Sequence, residues 1–376
     1  MEHYLDNAAT TRVCPEAAEA ALAAMTECYG NPSSTHAKGR EAKKLLDKAR
    51  SQVAAAVGCA DAELVFTASG TESDNWALLG GAEAMHRKGR HIISSAVEHD
   101  AVRKCLDDLE SRGYEVMRLK PDETGAISPE AVAQALREDT ILVSLMLVNN
   151  ETGAVTDISA ISRILREAKS EAILHTDAVQ GFLKIPFSAK TLGADLISIS
   201  GHKIHAPKGV GALYVRKGLR LKPLLLGGAQ EAQRRAGTEA LPAIAAFGAA
   251  CEAGRAVFDD SRTHMEALRQ SAMEMLRPEI PELQLIGGGA PHILSLSLPG
   301  WRSEVLINYL EAQEVYISRS SACKKGARSH VLEAMGLRPA VIDGAIRVSF
   351  SRMSTQEDVD ALCRGLIEAH ARLSHR

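Results

Sequence analysis

In Ile197-Ser198-Ile199-Ser200-Gly201-His202-Lys203 a lysine follows directly on an alternating apolar run. A side chain at the end of a buried strand is held rigidly at a sheet edge. Partial desolvation there lowers a lysine's pKa and makes its amine a usable nucleophile. Upstream, Ile173 to Gln180 repeats the arrangement with an acid, the apolar run reaching His175, Asp177 and Gln180. Taken singly, each residue reads more readily as a surface lysine or a helix-capping aspartate. Taken together, they meet the two demands of a pyridoxal phosphate site. The lysine forms a Schiff base with the cofactor, and the aspartate keeps the pyridine nitrogen protonated so that the ring accepts electrons.

Other apolar runs stop at polar clusters too. The run after Glu63 ends in Ser69-Gly70-Thr71-Glu72. Gly70 permits a tight turn and Thr71 opens the next helix, where free backbone N–H groups and a hydroxyl suit a phosphate. An ordinary N-cap explains that segment equally well on local grounds. The next runs end at Glu98-His99 and at Asn149-Asn150-Glu151. A lone His99 would be an ordinary loop histidine. Five strand ends delivering polar groups to one edge of a parallel sheet make a ligand site.

The elements that must position these groups alternate along the chain. Strands are expected over 63–68, 91–96, 140–148, 172–176, 196–200 and 211–215. Helices are expected over 73–86, 100–111, 128–137 and 157–168. Such alternation predicts an α/β fold with a mostly parallel sheet covered on both faces. An Ala-rich helical stretch from 239 to about 276, interrupted near Gly248 and Gly254, reads as a connector between domains. Beyond it, runs at 293–298, 315–318 and 345–351 suggest a small sheet, covered by helices over 303–311 and 355–373. No Rossmann glycine fingerprint or P-loop is present, which disfavours nicotinamide and nucleotide enzymes.

Composition limits the remaining classes. A chain of 376 residues is longer than one core usually supports. A net charge of −3 with 24% charged residues gives no sign of nucleic acid or anionic membrane as partner. No apolar run approaches a membrane span, and the opening residues lack a signal-peptide pattern, so a cytoplasmic protein is expected. Seven scattered cysteines form no Cys-x-x-Cys pair, which argues against a disulfide framework and a zinc site, so no metal is expected.

Several short motifs, in order over nearly the whole chain, resemble those of the NifS/IscS-type cysteine desulfurases within the class V aminotransferases. They are Tyr4–Thr11, Asn31–His36, Val148–Gly153, Asp177–Gln180, Ser200–Lys203 with Pro207-Lys208-Gly209, Arg235–Thr238, Ser321-Ala322-Cys323 and Ile346–Ser349. The resemblance implies pyridoxal-phosphate fold type I, with a large domain around a mostly parallel seven-stranded sheet and a smaller C-terminal α/β domain. It implies a large cofactor-binding domain with the dimer interface over 12–250, and a small domain of 1–11 and 251–376 carrying a catalytic cysteine loop. Lys203 would be the Schiff-base lysine, Asp177 the partner of the pyridine nitrogen, and His99 the residue stacked on the ring that helps to move protons. Gln180 and Asn150 would contact the phenolic oxygen, with Asn150 also near the substrate carboxylate. Gly70, Thr71, Ser200 and His202 would hold the phosphate, and Thr238 would reach the phosphate of the neighbouring subunit of a homodimer. Arg347 would clamp the substrate carboxylate in the bidentate manner a guanidinium allows; its bland alternative is a surface salt bridge.

The same resemblance gives Cys323 the role of taking sulfur from L-cysteine as a persulfide, with alanine released. Arg319, Lys324, Lys325 and Arg328 flank that cysteine, and neighbouring cations lower a thiol's pKa. The loop departs from the long-loop members of the family. Ser320 stands where they have glycine, two lysines follow the cysteine, and the run to the next helix is shorter. Sulfur would pass to an acceptor protein, an iron–sulfur scaffold or a tRNA-thiolation enzyme. A selenocysteine lyase, another class V enzyme, and a non-catalytic sulfur-relay adaptor are the alternative readings.

Overall fold

The computed structural model of the chain describes residues 2–320 and 328–373. Thirteen strands are found among them. β1 is His3–Tyr4, β2 Leu64–Thr67, β3 His91–Ser95, β4 Glu115–Leu119, β5 Thr140–Ser144, β6 Ile173–Asp177, β7 Leu196–Ser200 and β8 Gly211–Val215. The second half adds β9 Gln284–Leu285, β10 Ile293–Ser297, β11 Val315–Tyr316, β12 Ser318–Arg319 and β13 Ala345–Ser349.

The large sheet has seven strands in the order β2-β8-β7-β6-β5-β3-β4. β8 runs antiparallel to both of its neighbours, and all the other pairings are parallel. β2 therefore points the same way as β7, so β2, β3, β5, β6 and β7 all end on one edge. Every residue of β2, β3, β5, β6, β7 and β8 is buried, as continuous apolar runs covered on both faces require. β4 is the strand that apolar runs did not predict. It lies at the sheet edge with none of its residues fully buried, so its sequence carries charges where a central strand would not.

Helices α1 (Pro15–Thr26), α2 (Ala37–Val57), α3 (Gly70–Met85) and α4 (Asp100–Ser111) pack around this sheet. α2 ends at Gly58, whose φ of 75° is the left-handed conformation glycine adopts at a helix C-terminus. Of the interruptions expected near Gly248 and Gly254, the first does not occur. A helix runs unbroken over Leu241–Ala256, and the break falls at Val257, where Phe258–Glu279 continues at an angle of 75°. Gly248 is a close-packing residue: a Cβ there would lie 2.8 Å from the Ala49 Cα in α2. No single described helix is long and apolar enough to cross a membrane.

The second half builds a four-stranded sheet, β12-β13-β10-β9, over its own core of Leu294, Leu296, Trp301, Ile346, Val348 and Leu362. The strand expected over 315–318 divides in two. β11 leaves to pair in parallel with β1, and β12 joins β13. The N-terminal residues thereby lie against the second sheet before crossing to the large one.

Two ion pairs set the segment following β8. Arg50 of α2 donates to both carboxylate oxygens of Glu231, at 2.6 and 2.8 Å, and Glu231 also accepts the Phe66 N–H at 3.0 Å. Arg235 forms a second two-bond pair with Glu72 at 2.8 and 3.1 Å. Buried pairs of this kind fix geometry more than they add stability.

Candidate active site

The five strand ends open into one cavity of about 510 Å³ at the edge of the large sheet. β2 supplies the turn into α3. Ser69 caps that helix, accepting the Glu72 N–H at 3.1 Å, so the helix begins at Gly70, ahead of the expected start at residue 73. Gly70 is required by space: a Cβ there would lie 2.7 Å from Val179 Cγ2 and 3.5 Å from Ser200 Cβ. Thr71 follows on the exposed side of the first turn, where helix N–H groups face the cavity.

β6 ends at Asp177, which is 6% exposed and accepts the Val179 N–H at 2.9 Å. Burial pushes its carboxyl up to about 7, with the Asp74 carboxyl adding to the rise. Gln180 lies on the following turn and donates to the Ala8 carbonyl at 2.8 Å. β7 ends at Ser200 and passes into the short turn of His202 and Lys203. Burial holds the His202 imidazole down at about 4, so the ring is neutral at physiological pH; its Nδ1 is 3.2 Å from Thr10 Oγ1.

Lys203 donates to the carbonyls of Ala8 at 2.6 Å and Ala9 at 2.7 Å. Burial, and after it the Arg347 guanidinium, lowers its amine to about 8. The free amine is the nucleophilic form, so its population grows as pH rises through that value. The apoprotein should therefore capture pyridoxal phosphate with a rate that rises through about pH 8. Stopped-flow absorbance measures this rate, and an inflection at the ordinary lysine value near ~10.4 would contradict it.

His99 caps α4 and is exposed at the cavity wall. Its Nδ1 accepts the Ala101 N–H at 3.1 Å, which leaves the proton of the neutral ring on Nε2. Asn150 follows β5 on a turn pinned by Asn149, whose Oδ1 accepts the N–H groups of Glu151 and Thr152. Arg347 comes from β13 of the second sheet and is 2% exposed, so it is no surface pair. Its Nη1 donates to the Asn150 carbonyl and its Nη2 to Asp6, both at 2.8 Å, while its buried Nε has no partner. Asp6 and Lys203 both rest on the segment that crosses from β1, so the N-terminus joins the two sheets at the site.

Ten of the twelve residues singled out in the sequence line this one cavity: Gly70, Thr71, His99, Asn150, Asp177, Gln180, Ser200, His202, Lys203 and Arg347. Thr238 does not line it and is exposed. Cys323 lies outside the described residues. Of its flanking cations, Arg319 pairs with Glu304, and Arg328 with Asp343 at 2.7 and 2.8 Å. The chain beyond is tied to the cavity wall. The Ser329 hydroxyl donates to Glu151 at 2.5 Å, and His330 Nε2 lies 3.1 Å from the Glu98 carbonyl oxygen. Sequence reasoning gave no role to Asp6, Asp74 or the carbonyls of Ala8 and Ala9, and named Glu98 only as a strand-end group. The apolar run before Glu98 was the available signal for that residue.

A sheet covered on both faces, with a lysine, an aspartate and a helix N-terminus at one edge, is the architecture of pyridoxal-phosphate fold type I. Residues 3–362 match the family Aminotransferase class-V. The chain is 43% identical to the cysteine desulfurase IscS of Methanosarcina thermophila, over 95% of this chain and 89% of that one. It is 40% identical to the putative cysteine desulfurase IscS 1 of Bacillus subtilis, over 99% of both. A solved NifS-like protein superposes with a TM-score of 0.94 at 37% identity, covering 99% of this chain and all of that one. The chain belongs to the class-V aminotransferase family, on its NifS/IscS-type branch.

Proposed function

We propose that this chain is a pyridoxal-phosphate-dependent cysteine desulfurase, forming L-alanine from L-cysteine and leaving the sulfur as a persulfide on Cys323. The observation that carries this reading is the meeting of Lys203, Asp177 and Arg347 around one cavity, in a chain whose relatives are named cysteine desulfurases.

The donor set fits the cofactor. The space kept open at Gly70, the first turn of α3, Ser200 and neutral His202 suit a phosphate dianion. Asp177, lining the same cavity, suits a protonated ring nitrogen. When bound, the cofactor supplies an electron sink for the bond changes at the substrate's Cα and Cβ.

The chain's own groups do the remainder. Lys203 would hold the cofactor through its Nζ and could carry protons at that atom. His99 would lie against the ring, with its Nε2 proton available. Gln180 and Asn150 would orient the phenolic oxygen. Arg347 takes the substrate carboxylate, exchanging its contact with Asp6 for one with the ligand. Arg347→Lys keeps the charge but loses the fork, so KM for L-cysteine should rise by roughly tenfold or more, ~1.4 kcal/mol, with kcat less affected. Steady-state kinetics test this, and an unchanged KM would exclude the clamp.

The Cys323 thiolate attacks the substrate sulfur. A sulfur–sulfur bond forms, the substrate's carbon–sulfur bond breaks, and the electron pair left on carbon takes up a proton. Cysteine and enzyme thiol thus become alanine and enzyme persulfide, with atoms and electrons balanced. Thr238, on the exposed segment after β8, completes the phosphate site of a second copy in a homodimer. The division at 12–250 and at 1–11 with 251–376 is our proposed domain boundary, and a sulfur-acceptor protein is the proposed partner. With a thiol reductant present, the cofactor-loaded protein should release sulfide and alanine in equal amounts from L-cysteine. A loaded protein inert towards cysteine would refute the reading.

A further inference from the structure

Three carboxyl groups meet under the cavity: Asp177, Asp74 of α3, and Glu98 after β3. Asp74 and Glu98 are each 1% exposed, and both line the cavity wall. Glu98 is served on one oxygen by the Ser95 hydroxyl and the Met146 N–H. Asp74 has far less support. Its Oδ1, like Glu98 Oε2, has no hydrogen-bond partner, and His175 Nε2 lies 3.6 Å from it.

That histidine cannot neutralise it. His175 is held between the Ser144 hydroxyl at 2.8 Å and the Ser198 hydroxyl at 3.0 Å, and burial lowers its imidazole to about 4. The other titratable groups facing Asp74 are Asp177 on β6, Glu98, and Cys105 on α4, whose thiol burial raises to about 12. Among the described residues, no lysine or arginine forms an ion pair with any of the three acids. Three negative charges cannot share a dry site without counter-ions.

We propose that Asp74 is a positioning residue that keeps a proton beside Asp177, so that Asp177 alone carries the negative charge facing the cofactor's ring nitrogen. This rests on the function proposed above, since the ring nitrogen arrives only with that cofactor. Asp177 is the better placed to ionise. It has a backbone N–H donor and His99 nearby to favour its charge, whereas Asp74 has only the Ser198 hydroxyl. Burial raises the Asp74 and Glu98 carboxyls, which favours their acid forms.

Infrared spectroscopy reads the proton directly. In a background carrying Glu98→Gln and Glu151→Gln, which removes the signals of the two other buried cavity acids that burial pushes up, the cofactor-loaded protein at about pH 7 should show one buried carboxylic-acid stretch. Asp74→Asn, neutral and of the same shape, should remove it. In the apoprotein, Asp177→Asn should move the Asp74 titration midpoint down, because a like charge has gone. Absence of the stretch while Asp74 is present, or a midpoint unmoved by Asp177→Asn, would overturn the proposal. Failure to take up pyridoxal phosphate would instead count against the functional reading. The apoprotein midpoints still decide whether Asp74 keeps its proton beside an ionised Asp177.

Discussion

Lys203→Ala should abolish turnover, lowering it by about 10³-fold or more, equivalent to ~4 kcal/mol of transition-state stabilisation. Two losses combine in this variant. The amine that bonds the cofactor's aldehyde is gone, and so is the base that moves protons at the substrate's Cα. The cofactor should still bind through its phosphate donors and Asp177, because those groups come from β2, β6 and β7 rather than from the lysine. Borohydride reduction followed by mass spectrometry separates the two effects: wild type should keep pyridoxal phosphate fixed to a peptide containing Lys203, and the variant should release all of it on denaturation. Retention of the covalent adduct would mean that another amine is used. Lys184 is the candidate to examine in that event, since burial brings its amine to about 8 as well.

Cys323→Ala should leave cofactor loading intact while sulfide release falls by roughly 10²–10³-fold, or ~3–4 kcal/mol. The split follows from where the groups lie. All the expected cofactor donors of this chain except Thr238 line the cavity, and Cys323 belongs to a different segment, following β12 in the second sheet. Removing the thiol takes away the sulfur acceptor and none of the groups expected to hold the cofactor. Visible absorbance of the variant should match wild type while both sulfide and alanine production stop. Undiminished sulfide release would move the acceptor role to another thiol or to a direct elimination.

The strands that carry the site were legible because each is a short run, buried on both faces, that ends abruptly in polar residues. β6 ends at Asp177 and β7 at Ser200, as their apolar patterns implied. β4 was not legible, because an edge strand with exposed charges has no apolar signature. The break at Val257 was legible only as an interruption near Gly254, and Gly248, which suggested another, instead serves contact with α2. Within the site, the backbone carbonyls of Ala8 and Ala9 hold Lys203, and any residue type could supply them. Asp74 and Glu98 were invisible as a pair, since 24 residues separate them and only the sheet brings them together. The pairing of Arg347 with Asp6 spans almost the whole chain, from the segment after β1 to β13.

Transfer of sulfur from substrate to Cys323 is the central claim, and a single turnover tests it most directly. Cofactor-loaded protein would be mixed with L-cysteine in the absence of any reductant or acceptor, quenched by an alkylating agent, and digested for mass spectrometry. The account predicts a burst of about one alanine per chain, with one extra sulfur on the peptide that contains Cys323. Alanine without that added sulfur, or the sulfur on a different cysteine, would contradict it.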